Sequence, residues 1–161
     1  MLATSPEGSA VFDRHGRYRY QLKRRWAGGG RAIAFVMLNP STADAERDDP
    51  TIRRCGGFAR AWGFSAMTVV NLFALRTTDP ARLRRARDPI GPGNDEHIAA
   101  AASSCDALVL AWGAHGALGG RDHDVLALLH GCRPACLGVT RSGQPRHPLY
   151  LPSATRRRPY G

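Results

Sequence analysis

The chain reads as an α/β protein, a three-layer α/β/α sandwich around a four-stranded, mainly parallel sheet, with a β-hairpin on its amino-terminal side. Three observations predict this. Four short apolar runs, at residues 32–38, 66–73, 106–112 and 135–139, are apolar at consecutive rather than alternate positions, as strands covered on both faces are. Helical patterns with recognisable caps separate them. The connections are short and nothing repeats, which favours parallel strands joined by crossover helices.

At 161 residues the chain is long enough for one domain with its own core, expected over residues 10–152. Residues 1–9 read as a disordered amino terminus and residues 153–161 as a basic tail carrying Arg156, Arg157 and Arg158. No apolar run approaches the roughly twenty residues of a membrane helix, and no apolar segment follows a basic one near Glu7 and Asp13, so neither a membrane span nor a signal peptide is expected. The expected location is cytoplasmic. Cys55, Cys105, Cys132 and Cys136 form no Cys-x-x-Cys unit and have no histidine at zinc-ligand spacing, which predicts free, mostly buried thiols and no zinc centre.

A formal charge of +10 makes a polyanionic partner, nucleic acid or nucleotide, plausible on electrostatic grounds. The same excess, arginine everywhere except Lys23 and set among abundant Ala and Gly, is also what a GC-rich coding bias produces.

Taken in order, residues 11–20 alternate around a glycine-containing turn and predict a hairpin. Period-two alternation puts Tyr18, Tyr20 and Leu22 on one face and Arg17 and Arg19 on the other, so the ribbon either caps the core or offers a basic edge. Residues 24–30 read as a flexible connector into the first buried strand, residues 32–38. Pro40 stops that strand, leaving the Asn39 side chain at its carboxyl end. Asp49 and Pro50 open a helix with Ile52, Cys55, Ala59 and Trp62 along its inner stripe and Phe58 beside them, ending at Gly63.

The second strand, residues 66–73, carries a polar Asn71 near its carboxyl end, and a buried amide needs partners. A short arginine-rich helix is expected over 81–87, a stiff loop over 88–93, and a helix over 95–104 capped by Asn94. The third strand ends in Trp112-Gly113, a helix follows over 121–129, and the strand at 135–139 leads through a loop to His147-Pro148. In open α/β sheets the carboxyl ends of the strands converge on one cleft, which would gather Asn39-Pro40, Asn71, Trp112-Gly113 and His147.

Each of these has a structural alternative. Asn39 suits a turn, Asn71 suits a bridge between loops, and His147 suits a satisfied loop histidine. Arg53 and Arg54 suit either phosphate contact or the solvated face of their helix; Arg76 follows the Asn71 strand, where a guanidinium would overhang the cleft. Trp62, Trp112 and Phe73 suit either core filling or stacking on a base. Asp44, Asp48 and Asp49 are close enough to suggest a metal, but Asp49 is accounted for as a helix cap.

With those residues in hand, most of residues 32–150 resembles the DUF1643 proteins, a bacterial family of unknown function. The resemblance rests on Met37-Leu38-Asn39-Pro40-Ser41-Thr42-Ala43-Asp44, on Asp49-Pro50-Thr51-Ile52-Arg53-Arg54-Cys55, on Val70-Asn71-Leu72-Phe73-Ala74-Leu75-Arg76, on Asp88-Pro89-Ile90-Gly91, and on Arg146-His147-Pro148-Leu149-Tyr150-Leu151. The order of motifs also looks like the uracil-DNA glycosylase superfamily, α/β/α sandwiches around a four-stranded parallel sheet. There an Asp-Pro or Asn-Pro turn positions the attacking water, a later Asn reads the base edge, a third strand ends near Trp-Gly, and a His-Pro loop follows. Asn39-Pro40, Asn71, Trp112-Gly113 and His147-Pro148 match in that order. The sequence departs from that pattern at Met37-Leu38, where the superfamily has Gly, and at Leu149, where it has Ser after His-Pro.

What the resemblance implies is a metal-independent, cofactor-free N-glycosidase that cleaves or recognises a nucleobase in nucleic acid or a nucleoside. Asn39, His147 and Asp44 would carry the chemistry, with Pro40, Ser41, Asn71, Phe73, Arg76, Trp112 and Arg54 around the substrate. Two other classes stay open: a binding module for nucleotide or nucleic acid without chemistry, and a hydrolase or transferase using the arginines to clamp a small phosphorylated metabolite.

Overall fold

The structure, a computed structural model, describes residues 7–161. Seven strands form one sheet: β1 (Glu7–Phe12), β2 (Arg19–Arg25), β3 (Ala32–Met37), β4 (Ala66–Asn71), β5 (Ala107–Leu110), β6 (Ala135–Cys136) and β7 (Arg158–Pro159), in the order β1-β2-β4-β3-β5-β6-β7. The four apolar runs are the mutually parallel strands β4, β3, β5 and β6. The expected four-stranded sheet is therefore corrected to seven. The hairpin β1-β2 continues the sheet antiparallel to β4 instead of standing apart, and the basic tail adds β7 beyond β6.

The ends of several elements move as well. Residues 7–9, expected to be disordered, pair with β2 as part of β1, whereas residues 1–6 lie outside the described residues. Arg24 and Arg25, expected in a flexible connector, belong to β2. The last parallel strand is only Ala135–Cys136, followed by an isolated bridge between Val139 and Pro145.

Helices α1 (Pro50–Ala61), α2 (Pro80–Arg85), α3 (Asn94–Ser104) and α4 (Arg121–Leu128) link the strands. β3 shows why its sequence is apolar throughout. Ile33, Phe35 and Met37 pack with Ile52, Cys55, Phe58 and Ala59 of α1, while Ala34 and Val36 face the opposite way, into a cluster with Leu83, Ile98, Ala101 and Val125 of the other three helices. Trp62 is less buried than the inner-stripe reading expects and stacks beside Phe58 and Phe35. Two of the four free cysteines, Cys55 and Cys136, are buried.

Asp49 caps α1 as expected, accepting the Ile52 N–H at 2.9 Å, with Pro50 in the first turn. Asn94 is not the cap expected of it. Gly93 holds that position in the left-handed conformation, and Asn94 is the first helical residue. Its buried amide instead donates to the carbonyls of Asn71 at 2.9 Å and Leu72 at 3.1 Å, tying α3 to the carboxyl end of β4.

With β3 in the middle, the chain moves first to β4 on one side and then returns to β5 on the other. The carboxyl end of β3 is thus the point at which the order reverses, where open α/β sheets bind ligands. Replacing Asn94 by Ala strips a donor from two buried carbonyls and is expected to lower stability by about 2 kcal/mol. Urea unfolding should show a lower midpoint at unchanged slope; an unchanged midpoint would mean those carbonyls find other donors.

Candidate functional site

A cavity of about 110 Å³ opens at the carboxyl ends of β3 and β4. Its walls include Met37, Asn39, Pro40 and Ser41 after β3, Val69 and Asn71 of β4, Asp49, Thr51 and Ile52 at the start of α1, His147, and Arg19 of β2. Asn39, Asn71 and His147, from three distant parts of the chain, thus share one cavity.

Arg19 arrives there through a bulge. Val11 pairs with Gln21 but Phe12 pairs with Arg19, so Tyr20 is an extra residue in β2. One inserted residue inverts the alternation. Leu22 faces α1, Tyr18 and Tyr20 turn toward the α3 side, where Tyr20 stacks on His97, and Arg19 returns to the α1 face. The expected grouping of Tyr18, Tyr20 and Leu22 on one face is corrected accordingly.

The polar groups of the cavity fall into two kinds. Some are committed to the protein. The Asn39 amide nitrogen donates to the carbonyls of Pro40 at 3.1 Å, Leu75 at 3.4 Å and Thr77 at 2.9 Å, pinning two loops together. Asp49 caps α1 through one carboxylate oxygen and accepts the Ala43 N–H at 3.3 Å through the other. Others are not. Asn71 is 1% exposed, and neither its amide nitrogen nor its amide oxygen has a partner. Arg19 is 2% exposed; one terminal nitrogen donates to the Ala43 carbonyl at 3.1 Å, and its Nε has no partner.

His147 is half-buried, and its Nδ1 accepts the Leu149 N–H at 3.2 Å. That bond places the proton of the neutral ring on Nε2, making Nε2 a donor. Burial holds the imidazole below its ordinary value of 6.5, against a weaker upward pull from Asp49. Gly113 lies against His147 with φ +81°, a backbone conformation that side chains rarely adopt. Burial likewise pushes the Cys55 thiol, in the first turns of α1, up to about 12, which keeps it protonated.

Several residues expected around the site lie elsewhere. Asp44 caps its own turn, its carboxylate accepting the N–H groups of Glu46 at 2.9 Å and Arg47 at 2.7 Å; these bonds lower its pKa, and it lines no part of the cavity. Phe73 fills the core on the opposite face of the sheet. Trp112 is buried there too, its indole N–H donating to the Gln144 side chain at 2.8 Å. Arg54 lies over the Phe58 ring and donates to the Pro148 carbonyl and the Ser153 hydroxyl. Arg76 lies over the Phe12 ring and donates to the Gly16 carbonyl, bracing the hairpin.

The family model described as a protein of unknown function, DUF1643, matches residues 19–149. The chain belongs to the DUF1643 family. The matched span contains every residue that lines the cavity. No curated protein and no solved structure matches the chain, and none of these comparisons bears on the uracil-DNA glycosylase superfamily.

Sequence reasoning missed Arg19 in this DUF1643 protein and weighed Asp49, with Asp44 and Asp48, as a metal ligand before accounting for it as a helix cap. An arginine between two tyrosines in a strand paired on both sides is a signal, since interior strands seldom carry a charge. Its direction was not readable without the bulge.

Two outcomes follow for the site. Asn39→Asp replaces the donor that holds three carbonyls with an acceptor and should lower stability by about 2 kcal/mol at neutral pH. The loss should shrink in acid, where the new carboxyl group protonates and donates; a fully stable Asn39→Asp protein would overturn this reading. For His147, the unfolded chain takes up the proton at higher pH than the folded one, so its contribution to stability is complete above 6.5 and is lost as pH falls through the lower folded value. The wild type should therefore lose stability relative to His147→Asn as pH falls below about 7, and NMR titration of the ring should place its folded pKa below the ordinary one.

Proposed function

We propose that the cavity receives a nucleobase presented by nucleic acid or by a nucleoside, and that the protein recognises or hydrolyses its N-glycosidic bond. The fold would then be the three-layer sandwich of the uracil-DNA glycosylase superfamily, with the four parallel strands at its centre. The observation that carries this reading is Asn71, a buried amide whose donor and acceptor are both unpartnered at the carboxyl end of β4. A side-chain amide of this kind matches the adjacent donor and acceptor on the edge of a base.

Hydrolysis breaks the bond between the sugar carbon and the base nitrogen, with the electron pair leaving on the base. Water supplies the new carbon–oxygen bond and releases a proton. His147, through Nε2–H, is suited to donate to an oxygen of the departing base. Asn39 keeps its amide oxygen for orienting water once its nitrogen is committed to the loops. A base buried in a duplex would first have to be unstacked, or be supplied single-stranded.

A recognition module without chemistry is the second reading, and Asp49 favours it. It is the acidic residue in the cavity wall, and both its oxygens already accept backbone N–H groups, so no carboxylate there is idle as a general base.

Base release from oligonucleotides and nucleosides containing uracil, hypoxanthine or alkylated bases separates the two. Hydrolysis predicts measurable release that falls about 100-fold or more in His147→Ala, the usual loss on removing a proton donor. Binding without release, weakened by Asn71→Ala, selects the recognition module; neither binding nor release would overturn the proposal.

A further inference from the structure

Resting on the nucleobase reading, we infer that this cavity takes the base in a negatively charged form, with the buried guanidinium of Arg19 as the counter-charge that selects it.

Three arginines are buried, and two are neutralised within the protein. Arg24 pairs with Asp48 at 2.9 Å and donates to the carbonyls of Lys23, Asp44 and Arg47. Arg121 pairs with Asp95 at 2.6 Å and donates to the Leu72 carbonyl at 2.8 Å. Arg19 has no carboxylate within ion-pair distance among the described residues, keeps one hydrogen bond to a neutral carbonyl, and leaves its Nε unpartnered. Burial lowers its pKa to about 10, so it is still a cation at neutral pH.

Asp49, in the same cavity wall, pulls on Arg19 only from beyond ion-pair distance. A buried cation without an ion pair is an expensive arrangement that folding alone gives no reason to keep. The cavity gives one. Arg19 and Asn71 line it together, and Nε–H of Arg19, Nδ2–H of Asn71 and Nε2–H of His147 are donors, against the free amide oxygen of Asn71, that of Asn39 being kept for water. The first turn of α1, with Thr51 in the wall, adds the positive end of a helix, partly offset by the Asp49 cap. A group that satisfies this set accepts at two or three positions, donates at one, and carries negative charge. A heterocyclic anion that keeps a ring N–H fits; a neutral base leaves the guanidinium without an ion pair.

Barbiturate and uracil make the test. They share a six-membered imide ring, but at neutral pH barbiturate has lost its C5 proton and carries a negative charge on its carbonyl oxygens, and uracil has not. Wild-type protein should bind barbiturate more tightly than uracil by at least about tenfold, the scale of one charge-assisted hydrogen bond, with calorimetry as the readout. Arg19→Met should abolish that preference while lowering the urea midpoint of the unliganded protein less than Arg121→Met does, because it removes a charge that has no ion pair together with one bond to the Ala43 carbonyl. Arg121→Met, which breaks a structural pair, should lower the midpoint. A midpoint lowered as far in Arg19→Met as in Arg121→Met would make the arginine structural and overturn the inference.

The arms also separate this inference from the reading beneath it. Rings bound without preference for the anion, or with a preference that survives Arg19→Met, overturn the anion inference and leave nucleobase recognition standing. Acetate or inorganic phosphate bound through Arg19, with neither ring bound, overturns the nucleobase reading and keeps the anion role. No binding of any of these probes overturns both.

Discussion

One inserted residue in β2 decides what the cavity contains. Without the bulge at Tyr20, alternation would send Arg19 toward α3 and bring a tyrosine to the α1 face. With it, the aromatic pair Tyr18 and Tyr20 covers the α3 side, and a guanidinium stands beside Asn71 under the start of α1. Bulges commonly re-aim a side chain near a site, and here the re-aimed group is the most buried charge in the cavity wall. The hairpin is therefore part of the site's construction. Arg76, stacked on Phe12 and bonded to the Gly16 carbonyl, clamps that hairpin to the loop after β4.

The carboxyl end of β4 shows how selectively polar groups are satisfied. Asn94 serves the carbonyls of Asn71 and Leu72, and Arg121 serves Leu72 again from another helix. Asn39 serves three carbonyls across two loops. The backbone around the cavity is thus well supplied with donors, yet the side chains of Asn71 and Arg19, buried as deeply as any, are left open. Among the described residues Arg76 and Asn94 also keep one buried unpartnered atom each, away from the cavity; Arg19 and Asn71 share its wall, where the ligand proposed above would complete them.

The parallel strands were legible because burial on both faces forces continuous apolar sequence, and Asp49-Pro50 was legible because a cap is a local interaction. Asn39, Asn71 and His147 were legible because strand carboxyl ends converge in this topology, whatever the loops do. The rest depended on non-local geometry. That the hairpin joins the sheet is a matter of pairing across forty-odd residues of chain, between Leu22 and Val69. Asp44 looked available because its turn bonds to Glu46 and Arg47 leave no mark on composition, and Trp112 looked available until Gln144, thirty-two residues on, took its N–H.

The committed groups bear on how the open ones work. Asn39 fixes the turn after β3, Asp49 fixes the first turn of α1, and Leu149 fixes the tautomer of His147, so the donors of the cavity are held in place before anything enters. Donors fixed in advance need no reorganisation when charge arrives or develops beside them, and burial makes each interaction stronger than it would be in water. The same rigidity sets the selectivity. A neutral group entering the cavity gives Arg19 no ion pair, whereas the anion proposed above would pair with Arg19 and bond Asn71 together. Selection here follows from what the folded protein leaves unpaired.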